Sequence, residues 1–324
     1  MRLLLTGAGG FVGGHVVAWL AREQPGVEVF GAVLPQGGIT WGSGVGMTAL
    51  EVDLCDPAAT AALVEAVRPQ RILHLAGQSS PRHSLLDPGG TLRTNVLGIV
   101  HVLDAARRLR LRPEVLVVGS AEEYGPPAPD ELPLRETAPL RPASPYAVSK
   151  VAQGALALLY GPAGGMRVVL TRTFHHTGPG RGEAFAESSF ARQVAEIEAG
   201  LRPPVIEVGN LEAVRDFTDV RDVVRAYWLL AERGEGGAVY NVCSGRGRRI
   251  GELLDLLLQA SPARVEVRVD PRRLRPAEVA VQVGDPSRLQ AATGWRPEIP
   301  LEQTLRDLLA DWRTRVGAVA RASR

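Results

Sequence analysis

The chain opens on a short apolar run, residues 3–6, that breaks at once into glycine. A helical pattern then runs to about residue 21. Apolar runs at 27–33 and 49–52 predict a second and a third strand. Asp56-Pro57 supplies a cap and a first-turn proline for a helix reaching about residue 67. Residues 71–75 predict a fourth strand, 91–109 one long helix, and 115–119 a fifth strand. A helix over 144–159 and a strand over 167–171 complete the rhythm. Near-continuous apolar strands alternating with helices predict a parallel sheet covered on both faces.

Beyond about residue 175 the rhythm changes, and Pro, Gly and Arg crowd into GPGRGE, GLRPP and PRRLRP. Helices over 188–199, 220–231, 249–259 and 301–316 are separated by short strands, and 239–242 is placed to return to the first sheet. The expected architecture is an α/β fold. A Rossmann-type doubly wound parallel sheet carries a smaller, mostly helical C-terminal substrate domain. The two interleave, with 1–175 plus about 215–242 in the dinucleotide-binding part and about 176–214 plus 243–324 in the other.

Composition adds three constraints. With 324 residues, 45% hydrophobic but only 5% aromatic, the cores must be aliphatic. No apolar stretch reaches the length of a membrane span, and MRLLLTGAGG meets glycine too early for a signal peptide. Cys55 and Cys243 lie far apart, with no metal-ligand spacing and no disulfide framework, which fits a reducing cytoplasm. A formal net charge of +2 argues against a nucleic-acid-coating protein. Of the 37 basic residues only Lys150 is a lysine. Where arginine has been favoured everywhere else, one retained lysine marks a place that needs a compact ammonium.

Gly7, Gly10 and Gly13 form a GxxGxxG turn between the first strand and its helix. The first glycine permits the tight turn, the second a close approach of backbone to a pyrophosphate, the third close packing of helix on strand. The acidic residue expected about 20 positions on, at the end of the second strand, is absent from Ala32-Val33-Leu34-Pro35-Gln36, and no arginine replaces it. The choice between NAD and NADP therefore stays open. Asp53, after the third strand, is placed either to meet an adenine or to cap a turn.

Ser144-Pro145-Tyr146-Ala147-Val148-Ser149-Lys150 sets Tyr146 and Lys150 one helical turn apart on one face. An ammonium beside a phenol is expected to lower its pKa and let it exchange a proton near neutral pH. Ser120 ends a strand on the side where open α/β sheets place ligands, and can polarise a carbonyl. A cofactor-binding sensor without catalysis would have no reason to keep such a proton donor.

Together TGAGGFVG, VDLCD, HLAG, Asn95 in its helix, GSAEEYG and SPYAVSK make the chain resemble the extended short-chain dehydrogenase/reductase family over essentially its whole length. The resemblance implies that Tyr146 is the acid/base, Lys150 its electrostatic and ribose partner, and Ser120 the carbonyl-orienting hydroxyl. Glu122 matches an acid of the sugar-nucleotide dehydratase branch. Gly7, Gly10, Phe11, Val12 and Gly13, then Asp53 and Leu54, then Leu75, Ala76 and Gly77 would line an NAD(P)(H) cofactor. RTFHHTGPG is similar to the RPFNHTGPG stretch of GDP-mannose 4,6-dehydratases and GDP-4-keto-6-deoxy-mannose reductases, departing from it at Thr173 and His175. SSFARQVAEIEAG, GNLEAVRDFTDVRDVVRAY and RPAEV look more like the reductases, as does a glycine turn reading GAGGFVG rather than GQDG.

That resemblance implies reduction of a nucleotide-linked 4-keto-6-deoxy sugar, with a GDP-sugar favoured. GDP-mannose 4,6-dehydration and then UDP-hexose 4-epimerisation are the alternatives. It also implies a homodimer, no metal, and no nucleic-acid or membrane partner. His175 would face the sugar. A nucleotide diphosphate calls for cationic forks, and Arg215 and Arg275, in loop-like contexts, are the expected clamps, with Arg192 a further candidate. Glu278 would accept from ribose hydroxyls.

Overall fold

The three leucines after Arg2 divide between two apolar cores, and that alternation fixes the layers of the molecule. In β1 (Arg2–Thr6), Leu3 and Leu5 face one helical layer and Leu4 the other. The computed structural model describes residues 1–35, 46–274 and 279–322. Helix α1 (Phe11–Glu23), β2 (Glu28–Val33), β3 (Thr48–Glu51), α2 (Pro57–Val67) and β4 (Arg71–His74) follow in order. Two short helices, α3 (Pro81–Leu86) and α4 (Pro88–Leu92), precede α5 (Gly98–Arg108). Then come β5 (Glu114–Ser120), α6 (Pro145–Gly164) and β6 (Arg167–Thr173).

The second half starts at β7 (His175–Thr177) and α7 (Ala186–Glu198), then β8 (Val205–Val208), β9 (Val214–Asp219) and α8 (Val220–Arg233). It continues through β10 (Val239–Val242), β11 (Gly247–Arg249), α9 (Ile250–Gln259), β12 (Glu266–Val269) and β13 (Val281–Gln282). Helices α10 (Ser287–Thr293) and α11 (Leu301–Ala322) close the chain described.

Seven parallel strands form the main sheet in the order β10-β6-β5-β4-β1-β2-β3. Residues 239–242 do return to it, beside β6. One face packs on α1 and α8 through Val16, Leu20, Val223 and Leu230, the other on α2, α5 and α6 through Val64, Val102 and Ala157. Burial on both faces explains the unbroken apolar strands, and each such side chain contributes about 1.5–3 kcal/mol. A third core joins α7, α9 and α11 around Phe190, Leu253 and Leu308. The short strands expected between the helices of the second half pair into two small sheets, one of β11, β9 and β13 with β7 joined to β9, the other of β12 and β8.

The predicted helix over 91–109 is present, but it carries a π turn, Arg93–Leu97, between α4 and α5. The wider turn carries buried Asn95, whose side-chain oxygen accepts from the Gln78 amide at 2.7 Å. Its amide nitrogen donates to the Gln78 carbonyl at 3.1 Å and to Ser149 Oγ at 2.8 Å. The distortion thus fastens the loop after β4 to α6. Among the described residues no helix is long and apolar enough to cross a membrane.

Candidate active site

The strand order reverses between β4 and β2 around β1, and such a switch point opens a crevice at the carboxyl ends of the strands. A cavity of about 510 Å³ lies there. Gly7, Gly10, Phe11, Val12 and Gly13 line it, with Leu75, Ala76 and Gly77 after the neighbouring β4 and Asp53 and Leu54 after β3. Gly7 sits at φ +72°, and a Cβ on it would lie 2.8 Å from the Ala76 nitrogen. A Cβ on Gly13 would lie 2.4 Å from the Gly7 carbonyl oxygen. Gly10 begins α1 without a side-chain cap. A helix N-terminus stripped of side chains and facing a cavity suits a pyrophosphate, so the residues fit a dinucleotide. Asp53 lines the cavity, and its Oδ1 accepts from the Cys55 amide at 2.9 Å, as a turn cap does.

Ser120, Glu122, Tyr146, Lys150 and His175 line the same cavity. Ser144 caps α6 by accepting from the Ala147 amide, and the first turns of the helix then present Tyr146 and Lys150 on one face. The phenol is hydrogen-bonded to the Ser120 side chain. Lys150 Nζ donates to the Val118 carbonyl at 2.9 Å and to Gln153 Oε1 at 3.0 Å. Burial pushes this ammonium down to about 8, with Glu123 opposing.

The expected lowering of the phenol's pKa by Lys150 is overturned. Burial pushes Tyr146 up to about 12, and the Ser120 hydrogen bond only partly offsets it. The helical spacing is right, but the ammonium is held against the end of β5, and desolvation of a phenolate dominates. At neutral pH the phenol keeps its proton.

Beneath the site lies a carboxylate that sequence reasoning passed over. Glu123 Oε1 accepts from the Ser120 amide at 2.8 Å, and its Oε2 takes Arg172 Nε at 3.0 Å. It fits because residue 119 is glycine: a Cβ there would lie 2.3 Å from Glu123 Oε1. His74 bonds Thr6 Oγ1 at 2.9 Å and is held down to about 3 by burial, then by Lys150. It is a core histidine.

The substrate candidates divide. His175, in β7, lines the cavity with its ring 5.5 Å from that of Phe217. Arg215 is not in a loop. It lies within β9, buried, donating to the Val214 carbonyl at 2.8 Å, and it pairs in register with Gln282, which lines the cavity. Arg192 projects from α7 outside the cavity lining and pairs with Glu183 and Glu196. Arg275 and Glu278 lie outside the described residues, as do positions 36–38 after β2. The cavity also takes in Arg181, Phe185, Tyr227 and Gln282. Their only sequence signal was a Gly- and Pro-rich stretch, an ordinary helix or, for Gln282, a two-residue strand, none of which points to a ligand.

A family profile described as GDP-mannose 4,6 dehydratase matches residues 4–308. The GDP-6-deoxy-D-mannose reductase of Pseudomonas aeruginosa is 39% identical, over 97% of this chain and 98% of its own length. Among solved structures, RMD from Pseudomonas aeruginosa complexed with NADPH superposes with a TM-score of 0.84 at 38% identity, covering 97% of this chain and 99% of that one. The Thermus thermophilus UDP-glucose 4-epimerase complex with NAD superposes with a TM-score of 0.85 at 30% identity, covering 97% and 99%.

Proposed function

Because the chain belongs to the GDP-mannose 4,6-dehydratase family, we propose that it is an NAD(P)H-dependent reductase of a nucleotide-linked 4-keto-6-deoxy sugar. Its substrate is then GDP-4-keto-6-deoxy-D-mannose and its product GDP-D-rhamnose. The observation that carries the reading is the placing of Tyr146 with Ser120 and Lys150 in the cavity that the glycine turn also lines. Reduction of a ketone needs a proton delivered to oxygen, and a phenol held up to about 12 is a donor at neutral pH. The resemblance to the Pseudomonas reductase, end to end, points the same way.

In this mechanism Ser120 and Tyr146 share the carbonyl oxygen, Ser120 polarising it and Tyr146 giving up its proton. Lys150, charged below about pH 8, stabilises the phenolate left behind and holds ribose hydroxyls. Gly7, Gly10 and Gly13 would hold the pyrophosphate of an NAD(P)H, whose reduced nicotinamide would supply the hydride. His175 faces the sugar. Arg215 and Arg275 hold the diphosphate, with Arg192 and Glu278 further out on the nucleotide; the place of Arg215 beside Gln282 supports its part. Residues 1–175 with about 215–242 carry the cofactor and about 176–214 with 243–324 the substrate, a division supported by the separate core around Phe190, Leu253 and Leu308.

Two copies pair through the helices beside the site. Val148 and Leu159 are exposed on one face of α6, and Leu85, Leu86, Leu92 and Leu97 stand exposed on the elements packed against it. The enzyme works in the reducing cytoplasm, where Cys55 and Cys243 stay free thiols.

A second reading, GDP-mannose 4,6-dehydratase, is favoured by Glu122, a carboxylate lining the cavity two residues beyond Ser120. Offering the two sugars separately decides between them. Consumption of external NAD(P)H with GDP-4-keto-6-deoxymannose identifies the reductase. Loss of water from GDP-mannose without added reductant identifies the dehydratase.

A further inference from the structure

Arg181 is the one arginine among the described residues that lines the central cavity. It belongs to the loop after β7, and that loop is fixed from outside. The Gly180 amide donates to Asp311 Oδ2 at 2.9 Å, and the Arg181 carbonyl accepts from Ser188 Oγ at 2.8 Å and Arg315 Nη1 at 3.2 Å. Helices α7 and α11 thus hold the backbone while the side chain turns inward. Its guanidinium carbon lies 3.4 Å from the Phe185 ring centre and 5.1 Å from that of Phe11.

The cation is poorly paired for its burial. The Arg181 side chain is 12% exposed and that of Glu187 5%, with Nε 3.6 Å from Glu187 Oε1. Neither of those two atoms has a hydrogen-bond partner. A buried charge so placed is costly unless something completes it. Phe11, over which Arg181 lies, is the first residue of α1, whose N-terminus faces the cavity. An anion at that helix end would therefore meet the positive pole of the helix on one side and the arginine fork on the other.

We propose that Arg181 is a diphosphate-binding residue of the cavity, closing over the cofactor's pyrophosphate from the side opposite the glycine turn. This rests on reading the cavity as a dinucleotide site. Two diphosphates enter such an enzyme, that of the cofactor and that of the nucleotide sugar, and the seat above Phe11 assigns Arg181 to the first.

The test is binding of NADPH and of GDP to the wild type, Arg181→Gln and Arg181→Lys, at low and high salt. In Arg181→Gln, NADPH affinity falls by about tenfold or more, its salt dependence flattens, GDP affinity is unchanged and the unfolding midpoint is retained. Arg181→Lys, which keeps the charge and loses the fork, falls between and carries the test if the glutamine variant fails to fold. NADPH affinity unchanged in both variants overturns the proposal, and so does a loss confined to GDP. Where the wild type takes NADH rather than NADPH the same comparison is read with NADH, and a wild type that binds neither overturns the dinucleotide reading itself, which separates that failure from a failure of Arg181.

Discussion

At the scale of single residues, the proposed chemistry turns on a phenol that keeps its proton and an ammonium whose pKa burial lowers to about 8. Tyr146→Phe removes the proton donor but little volume. Turnover is expected to fall by about 10²-fold or more with NADPH affinity retained, and steady-state rates beside a cofactor titration check both halves. Lys150 is buried with two acceptors in fixed positions, the Val118 carbonyl and Gln153. Lys150→Arg keeps the charge but substitutes a planar fork for a point donor, so activity is expected to fall by about tenfold or more. The wild-type rate is expected to decline above about pH 8 as the ammonium deprotonates, and a pH–rate profile reads this directly. That Ser120, Tyr146 and Lys150 share one cavity was legible from their types and spacing and from the lysine standing alone. The sign of the phenol's shift was not, since spacing reports neighbours and not what desolvation costs. Arg181 was equally hidden: only the fold brings residue 181 over residue 11.

At the scale of elements, the glycine turn and its helix were readable nearly to the residue, since each glycine answers a local demand. Gly7 needs both a left-handed backbone and room against the next strand's loop. Gly7→Ala is expected to cost about 1–3 kcal/mol and to weaken NADPH binding, measured by denaturant unfolding and by titration. The π turn at Arg93–Leu97 was not readable. Apolar spacing over 91–109 suits an unbroken helix, and the extra residue is absorbed because Asn95 finds partners at Gln78 and Ser149, far away in sequence. The short helices α3 and α4 were missed although Ser80 and Asp87 cap them, because neither is long enough to show a period.

At the scale of the whole molecule, acid sensitivity follows from neutral histidines built into the site's framework. Burial holds His74 and His176 down to about 3, whereas an unfolded histidine titrates near 6.5. Between those values the unfolded chain binds more protons, so stability is complete above about pH 6.5 and is lost as pH falls. Each is expected to remove about 1 kcal/mol by pH 5.5, which urea midpoints across that range will show; a flat profile would refute the neutral assignment. The alternation of strands and helices made the main sheet legible, including the return of residues 239–242. That return bears on how the protein is made. On the ribosome β6 emerges with β5 on one side and nothing on the other, and its partner β10 arrives only after all of β7, α7, β8, β9 and α8. At roughly 5–20 residues per second the bare edge persists for seconds. It offers an open ladder of backbone donors and acceptors to any neighbouring nascent chain. A fragment ending at Gly237 should therefore partition into the insoluble fraction while the full chain does not, and translation pausing inside that interval should lower yield without altering a single native contact.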